Sequence, residues 1–94
     1  MATKIPSVSV EYLKVPITGP SDVTLYTVQM AVIPDGQDPV TLDWKAAIWL
    51  GTNAAVLIGP GATIPLSEGT YRVWVKISAS PETPVLDAGL INIT

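Results

Sequence analysis

A chain of 94 residues suits a single domain, residues 1–94, and is long enough to fold without disulfides or a structural metal. It has no cysteine and no histidine, which removes disulfide scaffolds, thiolate metal sites and the usual nucleophile and base pairs of hydrolytic enzymes. Eight acidic against five basic residues, with a pI near 4.5, argue against a nucleic-acid partner, and 14% charged residues beside 48% hydrophobic ones leave a charge-poor surface suited to a partner or an assembly.

The N-terminal stretch MATKIPSVSV lacks the apolar run of a secretory signal, and residues 1–6 read as a candidate N-terminal arm. Nine prolines and seven glycines punctuate the chain so often that no helix of ten residues fits comfortably, so the regular structure is expected to be strand. Ser7 to Ile17 gives the first, with Val8, Val10 and Tyr12 on one parity and Leu13, Val15 and Ile17 on the other after a change of phase. Pro16 marks an edge or a bend. Val23 to Ile33 is the second, its Tyr26, Val28, Met30 and Val32 facing the core.

After the loop PDGQDPVTL, Asp43 to Leu50 reads as a third strand, with Trp44, Ala46, Ile48 and Leu50 on one parity and Lys45, Ala47 and Trp49 on the other. Gly51-Thr52-Asn53 makes a turn. Ala54 to Ile58 and Thr63 to Leu66 follow as short strands; the first, like Ala46 to Leu50, is a purely apolar run of five residues, and none is long enough to span a bilayer, so no membrane partner is expected. Thr70 to Ser78 alternates cleanly, Tyr71, Val73, Val75 and Ile77 against Arg72, Trp74 and Lys76. Val85 to Ile93 closes the set, with neither parity marked as the buried one.

Seven strands at this spacing predict an all-β fold, a two-sheet antiparallel sandwich of immunoglobulin-like type. The run Leu66-Ser67-Glu68-Gly69-Thr70-Tyr71 resembles the tyrosine corner that leads into the sixth strand of such domains, and Trp44 falls where they keep a buried tryptophan on the third. Asp35, Asp38 and Asp43 read as turn formers rather than calcium ligands, and Glu68 and Asp87 as surface carboxylates rather than an acid and base pair, so neither a catalytic residue, a metal site nor a cofactor is expected. If the third strand lies beside the sixth, Lys45 and Trp49 join Arg72, Trp74 and Lys76 on one outer face. That face is the candidate partner-binding surface, because tryptophan and arginine are enriched at the energetic centres of interfaces. The competing explanation is that the two indoles cover each other across the strands, with the lysine stems over them.

With Val10-Glu11-Tyr12-Leu13-Lys14-Val15-Pro16, Asp43-Trp44-Lys45, the run from Glu68 to Lys76 and the ending from Pro81 to Thr94, nearly the whole chain resembles a family of small proteins encoded among the virion genes of tailed bacteriophages, especially those of actinobacteria. Where relatives carry a longer and more aromatic middle section, this chain has only Gly51 to Ile58. The resemblance implies a structural protein of the virion, made in the host cytoplasm and present in many copies. It would act as a capsid decoration or head-to-tail region protein, with capsid or neck proteins as partners. The alternatives are a carbohydrate-binding or adhesion module using exposed tryptophans, and an adaptor that binds by strand addition at a sheet edge.

Overall fold

The computed structural model describes residues 3–18, 25–78 and 82–94. These form eight strands: β1 (Thr3–Ile5), β2 (Glu11–Pro16), β3 (Thr27–Pro34), β4 (Lys45–Ala46), β5 (Ile48–Leu50), β6 (Asn53–Ile58), β7 (Gly69–Ser78) and β8 (Val85–Ile93). A 3-10 turn, Thr41–Asp43, precedes β4. One sheet has the order β1-β8-β7-β3-β4 and the other β2-β6-β5, stacked as a sandwich. Neighbours run antiparallel except β1, which lies parallel to β8.

The alternation of β7 builds the core as expected. Val73, Val75 and Ile77 are buried against Val28, Met30 and Val32 of β3, and Leu13, Val56 and Ile58 of the smaller sheet close over them. Met30 and Val75 have no exposed surface, and each such burial stabilises by about 1.5–3 kcal/mol. Tyr71 packs at one end of this row, half-buried. The first expected strand, Ser7 to Ile17, is shorter in the structure and begins at Glu11, so Val8 and Val10 precede it. Leu13 and Ile17 are buried, while Val8, Val10 and Tyr12 are exposed, and the pairing with β6 shows no change of phase. Pro16 sits at the end of β2, an edge strand where a missing amide hydrogen breaks no ladder.

Four expectations need correction. Thr3–Ile5, set aside with the N-terminal arm, is a strand whose Ile5 is buried. The expected strand from Asp43 to Leu50 is not one strand and does not lie beside β7; that neighbour is β3. Asp43 ends the 3-10 turn, β4 joins the larger sheet and β5 the smaller, and the chain steps between them at Ala47, whose N–H donates to the Val28 carbonyl at 3.1 Å. Trp44 is accordingly half-buried outside the core rather than within it. Thr63 to Leu66 reduces to a bridge from Ile64 to Ile58, since Pro65 has no amide hydrogen to extend a ladder. The expected strand from Val23 begins in the structure at Thr27, its residues 23 and 24 lying outside the described ones.

Candidate contact surface

Arg72, Trp74 and Lys76 point outward from β7, and the antiparallel register extends their rows onto both neighbours. Lys76 lies between Gln29 and Val85, Trp74 between Ala31 and Asp87, and Arg72 between Ile33 and Leu90. Ala31 and Ile33 are buried, at 0% and 5% exposure, although they are not part of the central core. The outer face therefore carries an apolar layer of its own. Trp74 stands across from Ala31 on one side, and continuing the Lys45–Met30 register by one residue brings Trp44 beside Ala31 on the other. An alanine at that place leaves space for an indole on each flank.

The cations are engaged within this layer. The Lys76 Nζ stands 4.6 Å from the centroid of the Trp44 ring, a cation–π contact. Arg72 ties three segments together: its Nε donates to Asp35 Oδ1 at 3.1 Å, just after β3, and its Nη1 to Asp87 Oδ2 at 2.7 Å, on β8. The Asp35 hydrogen bond, seconded by Asp87, raises the guanidinium pKa above its already high ordinary value. A raised value means that the stability contributed by this charge is present below that range and is lost only in strong alkali. Asp87 also accepts the Gly89 N–H at 2.9 Å, which binds this face to an irregularity in β8. The Trp74 indole N–H is buried and has no acceptor among the described residues.

Of the five residues expected to share this face, Arg72, Trp74 and Lys76 do so. Lys45 pairs with Met30, whose side chain is in the core, so it stands on the opposite parity, exposed on the edge strand β4. Trp49 belongs to the other sheet: it lies across from Ala54, packs against the core and donates its Nε1–H to the Tyr26 carbonyl at 2.9 Å. Trp44 takes the outer place expected of Trp49. Read as one strand, Trp44 points in and Trp49 out; the step between sheets inverts both. The adjacent small residues Ala46 and Ala47 are the signal for that step in the sequence.

The loop carboxylates have separate tasks. Asp35 serves Arg72, while Asp43 accepts the Val40 N–H through Oδ2 at 2.9 Å and donates its own N–H to the Val40 carbonyl at 2.9 Å. A cleft lined by Ile5, Ser7, Ser9, Ile58, Leu66 and Ile93 holds about 10 Å³, the size of one water. No family model, curated protein or solved structure matches the chain.

Proposed function

We propose that the chain is an immunoglobulin-like structural module of a tailed-bacteriophage virion, non-enzymatic, acting in the head or at the head-to-tail junction through contacts with capsid or neck proteins. The observation that carries most weight is the surface. Leu25 and Leu42 stand 82% and 83% exposed, with Val40, Val85 and Leu86 also in solvent, on a chain with only 14% charged residues. Apolar side chains on so charge-poor a surface suit a part that is covered in its assembly.

The immunoglobulin-like assignment is supported by the order β8-β7-β3-β4 opposite β2-β6-β5, by the parallel first strand and by the Tyr71 hydroxyl, which donates to the Ser67 carbonyl at 2.9 Å as a tyrosine corner does. The virion setting is supported by the resemblance over nearly the whole chain. The outer face of Trp44, Arg72, Trp74 and Lys76, continued by Val85, is the proposed contact with the partner. A sugar platform draws less support, because Lys76 already lies over the Trp44 ring on which a pyranose would stack.

Antibody raised against the purified chain should label assembled particles of the phage that encodes it, and mass spectrometry of those particles should return its peptides. Particles free of both would overturn the proposal. On the same particles, Lys76→Glu protein should load at lower occupancy than wild type while keeping its fold by circular dichroism. Equal occupancy would remove the outer face from the contact.

A further inference from the structure

The outer face of the three-stranded sheet differs from that of the larger one. Its rows place Tyr12 beside Leu57, then Lys14, Ala55 and Ile48 side by side, then Pro16, Asn53 and Leu50. Tyr12 is 45% and Ile48 46% exposed, and Val10, next on the same parity as Tyr12, is 53% exposed. Lys14 is the single charged side chain in these rows. Elsewhere the loop between β3 and β4 presents the reverse character. Val40 and Leu42 project at 62% and 83% exposure between Asp38 and Asp43, on a turn held by the reciprocal Asp43–Val40 hydrogen bonds.

We propose that these two surfaces bind each other in neighbouring copies of this chain: Val40 and Leu42 of one copy lie on Tyr12, Ile48 and Leu57 of the next, and Lys14 meets the Asp38 carboxylate. The occupant is a second copy because the halves are complementary twice over, apolar to apolar and negative knob to positive face, and every chain carries one of each. Both are held rigid before contact, the knob by its turn and the face by its ladders, so little ordering opposes association. The contact joins unlike patches. If made reciprocally it closes a dimer; if made in one direction it propagates into a ring or row of copies. The patches are smaller than a standard interface, so the dissociation constant falls on the order of 0.1–1 mM, effective where an assembly concentrates the copies. The proposal rests on the structural-module reading only for its biological setting; the association itself belongs to the purified chain.

Sedimentation velocity on the purified full chain tests it, without particles or partners, so its failure and that of the virion assignment are separable. Wild type should gain mass as its concentration rises from roughly 10 μM to 1 mM. Leu42→Ser and Lys14→Glu alter exposed residues and should leave the melting temperature unchanged while weakening association at least tenfold. An equimolar mixture of the two should associate again, because one supplies an intact face and the other an intact knob. Amide resonances of Tyr12 to Lys14, Ile48 and Val40 to Leu42 should shift with wild-type concentration. A wild type that stays monomeric at 1 mM, a Leu42→Ser protein that associates like wild type, or shifts confined to other residues would each overturn the proposal.

Discussion

Tyr71 is anchored at both ends, its ring against the core and its hydroxyl on the Ser67 carbonyl at 2.9 Å, four residues back. Phenylalanine at this position keeps the ring and loses the bond. The expected cost of Tyr71→Phe is about 1 kcal/mol, or a fall of roughly 4–8 °C in melting temperature by calorimetry; an unchanged melting temperature would mean that the corner bond contributes nothing to the folded state. Gly59 makes a harder demand. Its φ is +118°, and a Cβ placed on it would run into the Ser9 carbonyl oxygen, backbone that cannot swing aside. Gly59→Ala should therefore destabilise by on the order of 2–4 kcal/mol, measured by urea titration. A loss below about 0.5 kcal/mol, the scale of an ordinary surface substitution, would show that the approach relaxes at little cost.

At the scale of the element, β8 changes faces partway along. Arg72 pairs with Leu90 and Trp74 with Asp87, so Ala88 and Gly89 together stand opposite Val73 in a bulge, with Gly89 at φ +96°. The extra residue inverts the parity: Leu86 shares the core side of the sheet with Val75, and past the bulge Ile91 shares it with Tyr71. This is why neither parity of Val85 to Ile93 is marked as buried in the sequence: the core-side positions are even-numbered before the bulge, where Leu86 is still 42% exposed, and odd-numbered after it, where Ile91 and Ile93 are buried. Deleting Gly89 should turn Ile91 and Ile93, now 4% and 5% exposed, out of the core. The expected fall in melting temperature is at least about 15 °C, from two apolar burials lost. A deletion protein melting within a few degrees of wild type would sink this account of the strand. The step at Ala47 works the same way on a shorter span, dividing one stretch of alternation between two sheets and exchanging the places of Trp44 and Trp49.

For the molecule as a whole, β7 is the organising strand. It is paired along its length to both β3 and β8, with the core on one face and the Trp44 and Trp74 layer on the other. The edges are weaker: β1 is three residues and β4 two, each held on one side. Amides of Val73, Val75 and Met30 should exchange with solvent only through global unfolding, at least about a hundredfold more slowly than those of β4, by hydrogen exchange followed with NMR. Equal protection in β4 and β7 would contradict this hierarchy. The same layering explains how far the contact face can be read from sequence. Arg72, Trp74 and Lys76 were legible as one outer parity, whereas Trp44, Asp35 and Asp87 join them only through pairings across the fold.

The period-two burial of Thr70 to Ser78, the density of proline and glycine and the absence of cysteine and histidine determine, from sequence alone, an all-β chain with a well-defined inner and outer side on its longest strand. They suffice because alternation is a property of one strand and its residue types. The sheet that each strand joins was decided only by the tertiary structure. It depends on partners far away in the chain, such as β1 on β8 and Gln29 beside Lys76, and on steps of a single residue that exchange the two faces, at Ala47 for the tryptophans and at Ala88-Gly89 for the last strand.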